Sequence, residues 1–331
     1  VADTPPFVSI IVPCYNEQAT IGLLLQAIQR QTYPLERLEI VISDGMSSDG
    51  TRQEIMAFTQ AHPLPQTRIV DNTRRIIPAA LNRAIEAARG EIIVRLDAHC
   101  VPETDYVARC VAALEQERGD NVGGIWLIRP GGADWIARGI AAAAAHPLGV
   151  GDAQYRFTDK AQYVDTVPFG AYRRSLVGRI GPFDESLLTN EDYEFNVRVR
   201  QAGGKVWLDP AIRAVYFARP TLAGLLRQYW RYGTWKQRML RRYPGTLRWR
   251  QAIPPFFVLS LLVGLIASLF QSAAGWLLLA GLGVYGLALL AGGIQLAIRR
   301  GDPALILSAP LAMAAMHLAW GGAFLVGLWR R

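Results

Sequence analysis

Short apolar runs rich in β-branched residues alternate with amphipathic stretches through the first two thirds of the chain. Three long apolar stretches fill the last third. Residues 8–13 (VSIIVP) read as a buried strand, and a helix follows over about 20–30. Residues 38–43 predict a second strand, which runs into Asp44-Gly45-Met46-Ser47-Ser48-Asp49-Gly50. A helix starts at Thr51, and Glu54 three residues on completes a capping-box pattern. Residues 68–71 form a short third strand. Pro78 suits the first turn of the next helix, which runs to about Arg89 and stops at Gly90. Residues 92–96 are a fourth strand, followed by a helix over 104–116. Strands separated by helices at this spacing predict an α/β fold built on a mostly parallel, doubly wound sheet.

Beyond that point the pattern changes. Residues 122–128 read as a strand, the alanine run 141–145 as a helix ending before Pro147, and 149–159 as a polar, glycine-bearing mobile loop. The isolated His146 in this middle stretch is expected to serve structure. After a turn at 181–185, a helix begins near Thr189-Asn190-Glu191-Asp192 and is stopped by Gly203-Gly204. Strands at 205–208 and 212–217 complete this region. Residues 221–242 combine leucines, aromatics and basic residues in the manner of an interfacial amphipathic helix. The apolar stretches 253–270, 275–298 and 304–328 are each near or above the roughly 18–20 residues needed to cross a bilayer core. The expected division is a catalytic domain over 1–218, a basic aromatic interfacial region over 219–250 and about three transmembrane helices over 251–331.

Charge sharpens this picture. The 331 residues carry a formal net charge of +8. Residues 219–250 hold nine Lys or Arg and no acid, and the apolar tail adds four Arg against Asp302, so the part before Arg219 is net −4. The basic excess therefore stands at the threshold of the first apolar stretch, where it meets anionic headgroups, and nucleic acid is excluded as the partner. By the positive-inside rule the first span starts on the cytoplasmic side, residues 271–274 lie outside and Arg299-Arg300 return inside. A third full crossing would put Arg330-Arg331 outside, against the rule; a re-entrant third segment is the alternative. Residues 1–7 are a short polar lead-in with no cleavable signal expected. Cys14, Cys100 and Cys110 fall in no metal-ligand pattern and suit packed thiols in a reducing compartment.

The chemistry concentrates at strand ends. The fourth strand stops at Asp97-Ala98-His99, where an acid and an imidazole can face one point. Open α/β sheets bind ligands in the crevice beyond the carboxyl ends of their strands. The plain alternative is that Asp97 turns the chain and His99 packs. Glu17, Asp44 and Asp97 follow three separate strands, and acids gathered on one rim repel unless a ligand or cation relieves them. No Gly-x-Gly-x-x-Gly follows the first strand and no Gly-Lys-Ser/Thr occurs, which argues against dinucleotide and P-loop chemistry. A nucleotide whose phosphates are held through a metal on Asp97 fits better.

The segments Val8-Ser9-Ile10-Ile11-Val12-Pro13-Cys14-Tyr15-Asn16-Glu17, Ser43-Asp44-Gly45 with Ser48-Asp49-Gly50-Thr51, Asp97-Ala98-His99 and Asn190-Glu191-Asp192 resemble family 2 glycosyltransferases with the GT-A fold. The resemblance spans residues 7–238 in order and is nearest to bacterial exopolysaccharide enzymes of the succinoglycan glucosyltransferase type. It implies that Pro13, Tyr15, Glu17 and Asp44 line the donor nucleotide pocket. Asp97 would be the first acid of a DxD motif, touching the diphosphate and Mg²⁺ or Mn²⁺. His99 replaces the motif's second acid as a metal ligand, which leaves the choice of metal open. Arg75 and Arg83 would contact the diphosphate, with surface arginines as the alternative. Residues 169–174 resemble the segment behind the acceptor pocket. Gln228-Tyr229-Trp230-Arg231-Tyr232 resembles the QxxRW motif of processive synthases, with Tyr232 in place of tryptophan. Gln228, Arg231, Tyr232 and Glu191 would close over donor and acceptor, although membrane-surface packing also accounts for the aromatics. Asp192 would be the general base, with Glu191 and Glu194 as neighbours that could equally complement the helix dipole.

The resemblance thus implies a membrane-anchored, inverting enzyme using a nucleotide-diphosphate sugar, with a UDP-sugar favoured. The acceptor would be a sugar hydroxyl on a polyprenyl-diphosphate lipid, at the cytoplasmic face of a bacterial inner membrane, with membrane lipid as a partner and a homo-oligomer open. A polyprenyl-phosphate glycosyltransferase, a processive synthase and an inactive nucleotide-sugar-binding scaffold are the alternatives.

Overall fold

The computed structural model describes residues 4–63 and 65–329. The start of the lead-in and the Arg330-Arg331 pair lie outside them. The chain divides into two compact units: residues up to Leu127 with Thr158–Tyr216, and Ile128–Phe157 with the chain from Phe217 onward.

In the first unit, β1 (Val8–Cys14), α1 (Ile21–Gln29), β2 (Leu38–Asp44), α2 (Thr51–Ala61), β3 (Gln66–Asp71), α3 (Ile77–Ala87) and β4 (Ile92–Arg95) follow the predicted alternation. β1, β2 and β4 are buried almost throughout, as strands covered on both faces must be. β2 and β4 pair with β1 in parallel, Ile10 standing opposite both Ile40 and Val94, and β3 pairs in parallel with β2. β5 (Cys100–Pro102), α4 (Tyr106–Glu115) and β6 (Asn121–Arg129) come next. α5 (Trp135–Ala144) and α6 (Pro147–Val150) precede β7 (Gln162–Tyr163), β8 (Ala171–Arg173), α7 (Arg174–Ile180), α8 (Glu191–Gln201) and β9 (Val206–Phe217). The sheet runs β3-β2-β1-β4-β8-β6-β9-β5, with β7 on β9. Its first four strands are parallel, whereas β8 is antiparallel to β4 and β6, and β9 to β5 and β7. Helical crossovers end at β4, and the parallel pairing ends with them.

Two strands were expected at 205–208 and 212–217; β9 is one continuous strand. Pro210 interrupts the pattern but sits in neither the β7 ladder, at Trp207 and Leu208, nor the β5 ladder, at Ala214 to Tyr216, so its missing N–H removes no bond from either.

The second unit contains α5, α6, α9 (Leu222–Arg242), α10 (Trp249–Ser268), α11 (Ser272–Arg300) and α12 (Leu305–Trp329). The last three are long and apolar enough to cross a membrane. Their core includes Ile140, Tyr229, Leu289, Ala312 and Met316. α5 and α9 approach α12 at glycines: a Cβ on Gly139 would lie 2.4 Å from that of Ser308, and one on Gly233 would lie 2.4 Å from the Trp320 carbonyl oxygen. Residues 149–159 are not the open loop expected. They hold part of α6 and a 3₁₀ turn at Gln154–Arg156, and Asp152 pairs with Arg248. His146 caps α6 by accepting the Leu148 N–H at 3.2 Å, and its Nε2 meets Gln295 at 3.0 Å.

Candidate active site

The carboxyl ends of β1 and β2 are adjacent, Cys14 facing Asp44. The loops that leave them are laced together. Gly45 N–H donates to the Cys14 carbonyl at 2.7 Å, Asn16 N–H to Ser47 Oγ at 2.8 Å and Ser48 N–H to Asn16 Oδ1 at 2.9 Å. Glu17 N–H donates to Thr51 Oγ1 at 2.8 Å, and the Thr51 hydroxyl donates to Asp49 at 2.5 Å. Thr51 is therefore not the cap of a capping box: Gly50 occupies the cap position of α2, and the threonine hydroxyl holds the Glu17 loop.

Asp44 is fully buried. It accepts from the Ser47 hydroxyl at 2.5 Å and from Arg52 Nε at 2.6 Å, and Arg52 reaches on to Asp71. Tyr15 is exposed with its ring against the Gly45 backbone, where a Cβ would lie 3.0 Å from Tyr15 Cδ2. Pro13 is half-buried opposite Ser43. Glu17 accepts from the Thr20 hydroxyl at 2.5 Å and from His99 Nδ1–H at 3.0 Å.

Asp97 belongs to a second cluster. Asp97 lies two residues past the end of β4, within reach of the Arg95 side chain. Buried Arg95 bonds Asp97 Oδ1 through Nε at 3.2 Å and Glu191 Oε1 through Nη2 at 2.9 Å. It thus ties the tip of β4 to the first turn of α8. Burial pushes the carboxyl groups of Glu191 and Asp192 above their ordinary values, and the Arg95 charge offsets part of that rise. Asp192 Oδ1 also accepts the Tyr193 N–H at 2.7 Å. Asn190, just ahead of α8, takes a left-handed backbone with φ 66°. Glu194 faces elsewhere: it forms two bonds with Arg198, at 2.7 and 2.8 Å, and Arg198 binds the 180–182 carbonyls.

A family model described as glycosyl transferase family 2 matches residues 9–181. The chain belongs to glycosyl transferase family 2. It is 29% identical over 323 residues to the succinoglycan biosynthesis protein ExoA of Rhizobium meliloti (strain 1021), covering 97% of this chain and 93% of that one. It is 27% identical over 333 residues to the dolichyl N-acetyl-alpha-D-glucosaminyl phosphate 3-beta-D-2,3-diacetamido-2,3-dideoxy-beta-D-glucuronosyltransferase of Methanococcus voltae, covering 97% of both. The fold is that of the mannosyltransferase PcManGT from Pyrobaculum calidifontis, solved with GDP-Man and Mn²⁺, at TM-score 0.64, 22% identity and coverage of 99% of this chain and 89% of that one. The protein is therefore a glycosyltransferase with a GT-A fold.

In this family 2 glycosyltransferase the residues singled out in the sequence fall into three groups. Glu17 and His99 meet, Asp97 and Glu191 share Arg95, and Asp44 is locked by Arg52. Arg75 stands apart, exposed in a left-handed turn with φ 56°, and Arg83 pairs with Glu86 on the surface of α3. Gln228, Arg231 and Tyr232 lie on α9 in the second unit, where Gln228 Nε2 donates to the Tyr232 hydroxyl at 2.9 Å and Arg231 is exposed. Among the described residues no three His, Cys, Asp or Glu side chains gather as ligands for one metal ion. The carboxylate that meets the His99 imidazole is that of Glu17, whereas Asp97 is paired with Arg95. Read from the sequence alone, Arg95 and Arg52 have no site role, and Thr51 is only a helix start and part of a family motif. The signal for Arg95 was present: a lone charge inside an apolar strand needs a buried partner.

Proposed function

We propose that this glycosyltransferase is an inverting enzyme that moves a sugar from a nucleoside-diphosphate donor, UDP-linked by preference, to a hydroxyl of a polyprenyl-diphosphate-linked saccharide. The setting is exopolysaccharide or cell-surface glycan synthesis at the cytoplasmic face of a bacterial plasma membrane. The observation that carries this reading is Arg95, which joins the acid at the β4 tip to the helix start bearing Asp192. Pro13, Tyr15, Glu17 and Asp44 take the nucleotide. Asp97, and His99 two residues on in the chain, would hold Mg²⁺ or Mn²⁺ against the diphosphate. The cation, when bound, supplies neutralisation of the leaving-group charge. Asp192 takes the proton from the acceptor hydroxyl as the new bond forms, and attack opposite the departing diphosphate inverts the anomeric centre. A lipid phosphate would need no such base. The M. voltae relative, named for a dolichyl-phosphate-linked sugar acceptor, supports a saccharide acceptor on a lipid, and the R. meliloti relative, named for succinoglycan biosynthesis, supports the exopolysaccharide setting. The Mn²⁺ and GDP-Man of PcManGT support a divalent metal and a nucleoside-diphosphate-sugar donor.

The test is transfer of radiolabel from single UDP-sugars into a lipid extract. Asp192→Asn should keep metal-dependent UDP binding by calorimetry and lose transfer by ~10²–10⁴-fold. Transfer at near wild-type rate would sink the hydroxyl-acceptor reading and move a lipid-phosphate acceptor ahead.

A further inference from the structure

The three long apolar helices of the second unit are not alike. α10 buries only Pro255, and α11 buries side chains only from Leu289 to Ala297. α12 has one face buried along its length, from Leu305 through Ala312 and Met316 to Phe324. α11 meets α12 at Ile306 and Pro310 and α10 meets it at Gly321, but the other elements that cover α12, α5, α6 and α9, bring charged and polar groups to it. At its start, Arg138 of α5 bonds Asp302 at 2.8 Å. Midway, His317 Nε2–H donates to the Leu148 carbonyl of α6 at 2.7 Å. Toward its end, α9 runs beside it: Gly233 lies against Trp320, the Trp230 ring against Gly322 and the Gln237 side chain against Gly327. Arg241 Nη2 donates to the Gly327 carbonyl at 3.3 Å.

α9 bears Arg227, Arg231, Lys236, Arg238, Arg241 and Arg242. If α12 crossed a bilayer, α9 would cross with it and take these six cations into hydrocarbon, which does not tolerate them. α10 and α11 have no such companions over their exposed lengths. At 1.5 Å per residue their 20 and 29 residues reach roughly 30 and 44 Å, enough for a core of about 30 Å.

Resting on the membrane placement proposed above, we infer that α12 does not cross the bilayer. It lies with α5 and α9 as a platform at the inner-leaflet interface, and the α10–α11 hairpin makes the crossing. The occupant of the platform's outer surface is anionic lipid. Exposed Arg227, Arg231, Arg238 and Arg242 meet its phosphates, while the exposed stripe Leu307, Leu311 and Leu318 meets the acyl boundary. Both ends of α12 then stay on the side of Arg299-Arg300, and the charge rule that a third crossing would break is kept.

The test uses the full chain with its native cysteines replaced, carrying either Ser272→Cys or one cysteine in a short polar extension after Arg331. An impermeant maleimide is applied to intact and then to lysed cells. The expected result is labelling of Ser272→Cys in intact cells and of the extension only after lysis. Labelling of both sites from the same side would overturn the inference. The side on which position 272 reacts tests the proposed orientation separately, because opposite-side labelling supports two crossings whichever way the chain faces.

Discussion

Arg95 bears most on the chemistry because one guanidinium serves carboxylates more than ninety residues apart in the chain. Its replacement leaves buried acids without their counter-charge. Arg95→Met should lower kcat by about 10²-fold through misplacement of α8, with Arg95→Lys partly restoring it. The pH profile separates this from simple loss of fold. A general base works deprotonated, and Asp192 is held above the ordinary aspartate value of about 3.9 by burial, less the offset from Arg95. Activity should therefore fall as pH drops through that raised value, and Arg95→Met should move the fall to higher pH. An acid limb at the same pH in both proteins would refute the role given to Arg95. Glu194, committed to Arg198, is expected to act on stability and not on this limb.

The elements depend on a few backbone and buried-charge positions. Asn190 enters α8 with φ 66°, a conformation that asparagine and glycine tolerate and β-branched residues do not. Asn190→Gly should stay active, whereas Asn190→Val should cost about 1–2 kcal/mol in thermal or denaturant unfolding and displace Asp192. At the opposite end of the sheet, Glu39 of β2 is fully buried. Burial by itself would raise its pKa, but the Ser9 hydroxyl at 2.6 Å, the Arg89 amide and guanidinium, and Arg68 at 2.9 Å outweigh that and hold it below the usual glutamate value. Its stabilisation is thus complete above about pH 4.3 and is lost as pH falls through the lowered folded value. Glu39→Gln should cost about 1–3 kcal/mol near neutral pH and flatten that part of the acid unfolding curve.

At the scale of the whole molecule, the exposed apolar surface of α10 and α11, with Phe256, Leu265, Leu277 and Val284 all open, has no protein covering among the described residues. Alkaline carbonate or high salt should leave the protein in the membrane fraction, and detergent should release it. Release by carbonate alone would mean that the hairpin does not span. The unit that carries these helices also contains residues 128–157, which sequence order would place between strands of the catalytic sheet.

The sequence by itself determined the parallel half of the sheet, the acids at its strand ends, the three apolar stretches and the family. Each is written in local pattern: β-branched runs record burial on both faces, helix stops record crossovers, and length with purity records capacity to span. Asp97 and the Asn190-Glu191-Asp192 helix start were legible for the same reason, being short motifs at element ends. The tertiary structure alone decided the rest. Nothing near Arg95 in the chain says that Glu191 will meet it, and nothing near Thr51 says that its hydroxyl will hold the Glu17 loop and not cap its own helix. The stretch 205–217 reads as two strands because the pattern does not tell which ladder a position joins. The hydropathy of α12 is that of a spanning helix, yet its buried face is met by α5, α6 and α9 as well as by α10 and α11, and a one-dimensional pattern cannot distinguish lipid from another helix as the apolar partner.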